Sequence, residues 1–320
     1  MILEDSPIPL LVIAGPTAAG KTAAAIEVAG AVGGEIVSAD SMQIYHGMDI
    51  GTAKPTPQEQ RQTAFHLIDI VDPDEDYNVA LFQQDAQRAI VDIHRRGLLP
   101  ILCGGTGLYV QAVVEHFDFP PGPRDEQTRQ RLAQEAAKLG TERMHRRLRE
   151  VDPEAAARIE PQDLRRIVRA LEVYKLTGQP LSPQQCVDET PPVKYNILSY
   201  VLTCPRALLY ERIERRVDEM MKHGWLAEVQ RLHRAGYHRQ MQSMQAIGYR
   251  HLLEYLECGG ELDEALTEIK RDIRQFAKRQ LTWFRNKTDF DWLTWSDQQQ
   301  WKKAAEQLTK AGRRLMARSQ

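Results

Sequence analysis

The sequence predicts an α/β fold, a parallel sheet flanked by helices with an inserted helical subdomain. Three observations predict it. Short apolar runs alternate with helix-spaced stretches up to about Val114; the text after Phe119 becomes rich in proline and then in arginine and glutamate; an apolar run returns at residues 195–204.

In order, "LLVIAG" (10–15), "EIVSA" (35–39), "HLIDIV" (66–71) and "LLPILCGG" (98–105) read as strands. Between them, Lys21–Val32 and Val79–Arg96 carry apolar residues at helical spacing. Strands alternating with helices imply βαβ units, and ligands in such sheets bind outside the carboxyl ends of the strands. Pro120, Pro121, Gly122 and Pro123 break any helix, and the segment to about Gly178 reads as helices. Residues 118–190 are therefore expected to form the insertion, with proline-rich "PLSPQQCVDETPPVKYN" (180–196) as the return linker. Residues 1–117 and 191–320 are expected to form the core, with "YNILSYVLTC" restoring a strand and helices following to about Asn286.

The chain has 320 residues, 42% of them hydrophobic, enough to bury a full core. No apolar run approaches the roughly 18–20 residues that span a bilayer, and the amino terminus lacks the order of a secretory signal. A cytoplasmic protein without a membrane partner is the expectation, with a monomer as the default. Cys103, Cys186, Cys204 and Cys258 form no metal-type cluster and are expected to be buried free thiols. A net charge of −2 excludes a globally basic coat but leaves room for a local basic face.

Gly15-Pro16-Thr17-Ala18-Ala19-Gly20-Lys21-Thr22 matches G-x-x-x-x-G-K-[ST] between an apolar strand and a helix, the context that a phosphate-binding P-loop requires. The sheet is thus expected to be P-loop NTPase-like. The glycines let backbone N–H groups close around phosphate oxygens, Lys21 reaches a terminal phosphate, and the Thr22 hydroxyl can ligate Mg²⁺. A nucleotide-splitting enzyme also needs a metal-holding carboxylate. Asp69 and Asp72 are candidates without a clear geometry.

Instead, the second strand delivers Asp40, Ser41 and Gln43 to the rim where the loop's ligand would lie, with Asp40 as a base or as a turn carboxylate. Thr106 ends the fourth run at the same rim, as a substrate contact or a helix N-cap. Arg212 and Arg216, one turn apart, are candidates for stabilising charge on a departing phosphate group. Residues 268–287 carry seven lysines and arginines against Glu268 and Asp272, and Lys270, Arg274 and Lys278 fall on one helical face, suited to phosphates or to solvent. Trp283 and Phe284 read as core residues.

"GPTAAGKT", "SADSMQIYHGMDIGTAKP" (38–55), "GGTGLY" (104–109), "RRIVRALEVY" (165–174), "QAIGYR" (245–250) and "KRQLTWFR" (278–285) together resemble the tRNA dimethylallyltransferases. The matches run in order through nearly the whole chain. The resemblance implies transfer of the dimethylallyl group of dimethylallyl diphosphate to N6 of the adenosine immediately 3′ of a tRNA anticodon, with Mg²⁺ and the P-loop holding the diphosphate. It makes Asp40 the general base and Thr106 a contact near the adenine amine. It implies tRNA contacts from Asp40, Ser41, Met42 and Gln43, from Arg129 and the Arg165-Arg166-Ile167-Val168-Arg169 run, and from Gln245, Ala246, Ile247, Gly248, Tyr249 and Arg250, although Ile247 and Tyr249 also read as packing residues. The partners are then the anticodon stem-loop, whose target base must be extruded to reach a buried diphosphate, and dimethylallyl diphosphate itself. The competing expectation is a P-loop kinase that phosphorylates a small metabolite or nucleoside with ATP; it leaves "DSMQIYHGMDIGTAKP" and the insertion unexplained.

Overall fold

The computed structural model describes residues 6–115, 125–181, 194–286 and 289–317. The chain divides into two compact units, one built from Met1–His116 and Pro192–Gln320 and the other from Phe117–Pro191. The expected linker segments at 120–123 and 182–193, with Cys186, lie outside the described residues.

The first unit begins with β1 (Ile8–Ala14), α1 (Lys21–Val32), β2 (Gly34–Ala39), α2 (Pro57–Gln60), β3 (Phe65–His66), α3 (Val79–Arg95), β4 (Leu99–Gly104) and α4 (Gly107–Val114). In the second unit lie α5 (Glu126–Leu139), α6 (Thr141–Val151), α7 (Pro153–Arg158) and α8 (Leu164–Thr177). The first unit resumes with β5 (Tyr195–Thr203), α9 (Arg206–Lys222), α10 (Trp225–Arg234), α11 (Tyr249–Cys258), α12 (Leu262–Arg285), β6 (Asp291–Thr294) and α13 (Gln298–Ala317). The strands form one sheet in the order β3-β2-β4-β1-β5-β6, and every pairing is parallel.

A central parallel sheet is apolar on both faces because helices cover both. Along β1, Leu10 and Val12 enter one core with Val37, Leu102 and Phe82, whereas Leu11 and Ile13 enter another with Ile36, Ile101 and Leu308. The alternating pleat assigns neighbouring residues to opposite faces. All seven residues of β1 are buried, which fixes the P-loop that follows on the stiffest part of the sheet.

The expected strand at 66–71 is mostly absent. Only Phe65–His66 pairs with β2, because Leu67 and Asp69 adopt positive φ values of 62° and 50° that turn the chain out of the sheet. The Asp69 carboxylate pairs with Lys54 in that turn rather than ending a strand of the sheet. Nothing in the sequence reading covers β6 and α13. α13 packs against α1 and β1, and its Gly312 lies against Leu99, Val32 and Val28.

The second unit has its own core of Leu132, Met144, Leu148, Ile167, Val168 and Leu171. Asp125, Asp152 and Asp163 cap α5, α7 and α8 through their carboxylates, satisfying amides that a helix start leaves unpaired.

Candidate active site

The P-loop turns sharply after β1. Gly15 has φ 142°, and a Cβ there would run into the Leu202 carbonyl of β5, so the position admits only glycine. Ala18 at φ 62° and Gly20 at φ 89° complete the turn into α1. The loop is braced from behind. The Trp295 indole donates to the Ala19 carbonyl at 3.1 Å, Arg212 Nε donates to the Ala18 carbonyl at 2.8 Å while stacking on Trp295, and Trp301 abuts Gly20. Arg212 therefore meets the loop's backbone, whereas Arg216, one turn on, lies at 3.4 Å from Thr17 Oγ1 and lines the cavity in front.

Two adjoining cavities open at the carboxyl ends of β1, β2 and β4. The smaller, about 80 Å³, is lined by Lys21, Thr22, Ser38, Gln43 and the Cys103–Gly105 strand end. The larger, about 310 Å³, is bounded by Ser41, Met42, Thr106 and an apolar wall from α9 and α12 that includes Ile213, Val217, Met220, Ile273 and Phe276. Thr17, Asp40, Thr52, Arg216 and Phe276 line both. Asp40 thus stands between a polar pocket carrying the P-loop lysine and a larger, mostly apolar chamber.

Its environment sets its chemistry. Burial raises the Asp40 carboxyl above the usual carboxylate range, against the opposing pull of the Met42 amide, which donates to Oδ1 at 2.9 Å, and of the Lys21 charge. Burial also lowers Lys21 to about 8, with Arg216 adding to the fall and Asp40 resisting it. Lys21 Nζ donates to the Pro16 carbonyl at 2.6 Å. Arg216 is lowered by burial as well, with Asp40 pulling the other way. Cys103 is pushed up to about 11 by burial, so its thiol stays neutral beside the site. An acid held above its ordinary range beside two desolvated cations can accept a proton when a neighbouring nucleophile releases one.

Thr106 occupies the N-cap position of α4, yet its hydroxyl makes no capping bond. It accepts instead from the Ser41 amide at 3.1 Å, and the Thr106 amide donates to the Ala39 carbonyl at 3.2 Å. Gln43, expected as a base contact, lines the smaller cavity. Its carbonyl accepts from Ser38 Oγ at 2.9 Å and its amide donates to the Thr52 and Ala53 carbonyls, so its polar atoms are engaged inside the protein.

The remaining expected contacts separate by burial. Ile167 and Val168 belong to the core of the second unit, and Gly248 and Tyr249 are buried in the first, so none of the four presents a side chain to an RNA; apolar residues at helical spacing pack before they recognise. Ala246 and Ile247 line the larger cavity with Gln245, whose amide also donates to the Arg239 carbonyl. Arg250 bonds Asp272 at 2.5 Å. Arg165 and Arg166 are exposed on α8, while Arg129 and Arg169 each reach the fully buried Glu172 at 3.0 Å. The basic face of α12 is partly structural, since Lys270 and Arg274 pair with Asp218 and Glu214 of α9 at 2.6 and 2.5 Å. Of the cysteines, Cys103 and Cys204 are buried free thiols, but Cys258 is exposed at the end of α11.

Sequence reasoning missed Gln280. Its carbonyl accepts from the Thr17 amide at 2.9 Å and its amide donates to the Gly105 carbonyl at 2.8 Å, tying the P-loop to the end of β4. The signal was a glutamine on the buried stripe Ala277, Gln280, Phe284 of an otherwise charged helix.

A sequence profile described as IPP transferase matches residues 43–287, and a second, described as Isopentenyl transferase, matches residues 8–71. The chain belongs to the IPP transferase family. A member of that family, the tRNA dimethylallyltransferase of Symbiobacterium thermophilum, is 50% identical over 303 residues, covering 95% of this chain and 94% of its own. The full-length tRNA isopentenylpyrophosphate transferase of Bacillus halodurans is similar in structure, with a TM-score of 0.71 at 42% identity over 98% of each chain. A eukaryotic dimethylallyltransferase acting on tRNA matches with a TM-score of 0.78 at 30% identity, over 94% of this chain and 77% of its own. Among the described residues, no helix is long and apolar enough to cross a membrane, and no group of three or more His, Cys, Asp and Glu side chains is arranged to hold a metal.

Proposed function

We propose that the protein transfers the dimethylallyl group of dimethylallyl diphosphate to N6 of the adenosine immediately 3′ of the tRNA anticodon, releasing diphosphate. The observation that carries this reading is Asp40 in the wall common to the phosphate-side pocket and the apolar chamber. The mostly apolar lining of that chamber suits a prenyl chain and the face of a flipped adenine.

The N6 lone pair attacks the first carbon of the prenyl group, the C–O bond to diphosphate breaks, and the N6 proton passes to Asp40. An exocyclic adenine amine is a weak nucleophile, so a carboxylate accepting its hydrogen bond favours the attack. Charge grows on the diphosphate as the bond breaks, and Lys21, Arg216 and the backbone amides at the start of α1 are the groups to stabilise it. Lys21 would leave the Pro16 carbonyl for a phosphate oxygen. Ile213, Val217 and Phe276 keep water from the reacting carbon.

The Thr22 hydroxyl lines the smaller cavity, and one such oxygen ligand with phosphate oxygens and water would suffice to hold Mg²⁺ there. When bound, Mg²⁺ would neutralise charge on the diphosphate. Arg165 and Arg166, exposed on α8, are the groups to meet phosphates of the stem-loop.

Labelled dimethylallyl diphosphate incubated with the protein, Mg²⁺ and either unmodified tRNA or AMP tests the reading. Label on the anticodon-adjacent adenosine is expected. Label on AMP alone, or phosphoryl transfer from ATP without prenyl transfer, overturns it.

A further inference from the structure

In the loop "YHGMDIGTAKP" (45–55), Gly51, Thr52 and Ala53 form one wall of the larger cavity, and Thr52 also reaches the smaller one. The backbone of this wall is held from the opposite side by one carboxylate. Glu228 of α10 is 2% exposed, and its oxygens accept from the Asp49, Ile50 and Gly51 amides at 3.0, 2.8 and 3.3 Å. Its fourth partner is the Tyr249 hydroxyl, which donates at 2.6 Å. Tyr249 begins α11, two residues beyond Ile247, which lines the same cavity.

Trp225 fills the space between the two loops. A Cβ on either Gly51 or Gly248 would strike its indole, and its ring meets Tyr249 edge-on at 5.9 Å and 71°. Glycine is needed at both places so that each loop can lie flat on the same tryptophan. Lys54 closes the first loop on itself, donating to the Tyr45 carbonyl at 2.5 Å and to Asp49 at 2.8 Å as well as to Asp69.

We infer that Glu228 and Tyr249 are positioning residues that hold the 51–53 and 246–247 walls at the spacing the acceptor base requires, and so set the affinity for tRNA rather than for the prenyl donor. The inference rests on the transfer reaction proposed above. The donor's phosphates would meet the P-loop, whose braces are Gln280, Trp295 and Arg212, none of them bonded to Glu228 or Tyr249. A buried carboxylate that accepts four hydrogen bonds is also intolerant of an amide, because a glutamine NH₂ would face backbone N–H groups.

The test is steady-state prenyl transfer by Glu228→Gln, Tyr249→Phe and the double variant, with folding checked by thermal unfolding. Glu228→Gln is expected to raise the KM for tRNA about tenfold and Tyr249→Phe about threefold, with the KM for dimethylallyl diphosphate unchanged. Because both act through one linkage, the double variant should show no larger rise than Glu228→Gln alone. A purely structural role would lower the active fraction, and hence kcat, with both KM values unchanged; that result, or equal rises in both KM values, overturns the inference. Should Glu228→Gln not fold, Tyr249→Phe decides, since it keeps the ring and removes only the hydroxyl. Wild-type protein that transfers no prenyl group to tRNA removes the underlying reaction and this inference with it, whereas normal wild-type transfer with unshifted variants removes the inference alone.

Discussion

The Thr106 hydroxyl accepts a hydrogen bond from the Ser41 amide at 3.1 Å, joining the carboxyl ends of β4 and β2. The residue stands where an N-cap would, but its oxygen faces the neighbouring strand end and so fixes the backbone immediately after Asp40. A cap and a site residue compete for one oxygen, and here the site has it.

Thr106→Val keeps the shape and removes that acceptor, leaving the part-buried Ser41 amide without it. We expect about 1–2 kcal/mol lost from unfolding free energy and at least a tenfold fall in turnover, with Thr106→Ser restoring most of both. Urea unfolding and single-turnover prenylation measure the two. Equal turnover in Thr106→Val would mean that the bond to Ser41 does not position Asp40.

Asp40→Asn keeps the Met42 hydrogen bond but removes the proton acceptor. Turnover should fall roughly 10²–10⁴-fold with tRNA binding retained. Filter binding alongside prenyl transfer separates the two, and turnover near wild type would dismiss Asp40 as the base.

The pH profile follows from two opposed shifts. Asp40 must be ionised to act, and its raised pKa moves the acid limb of kcat/KM above the ordinary carboxylate range. Lys21 must be protonated to meet diphosphate, so kcat/KM should fall as pH rises through about 8. In Lys21→Arg the basic limb should vanish from whatever activity remains, because arginine stays charged. The sign for folding is the reverse. With Lys21 lower in the folded state, the unfolded chain binds more protons between about 8 and 10.5, so this group makes the ligand-free protein more stable as pH rises through that window.

Gln280→Glu keeps an acceptor for the Thr17 amide but loses the donor to the Gly105 carbonyl and brings a charge beside the phosphate pocket. The KM for dimethylallyl diphosphate should rise about tenfold or more while the KM for tRNA holds. A rise in the tRNA term alone would show that Gln280 does not brace the P-loop.

The elements legible in the sequence are those whose signal is local. "LLVIAGPTAAGKT" declares a buried strand, a glycine turn and a helix start; α1 spans Lys21–Val32 as expected, and β1 runs from Ile8 to Ala14 where 10–15 was expected. "HLIDIV" carries an equally apolar text but leaves the sheet after His66, because Lys54, Tyr45 and Asp69 interact only once the chain has folded back. Asp40, Lys21, Thr106 and Arg216 were visible by residue type at strand ends and helical spacing. Gln43 was visible too, but not its bonds to Ser38, Thr52 and Ala53, and Gln280, Glu228 and Trp225 carried no motif at all.

By itself the sequence determined the parallel α/β framework, the glycine turn after β1 and the family, since each depends on short-range patterns of apolar, glycine and charged residues. Only the tertiary structure decided which of those residues share a wall. It set Asp40 between two cavities, turned Thr106 from its helix toward Ser41, and brought Glu228 to amides almost 180 residues away. A hydrogen bond forms between atoms within about 3 Å whatever their separation in the chain, and no local pattern records the partner.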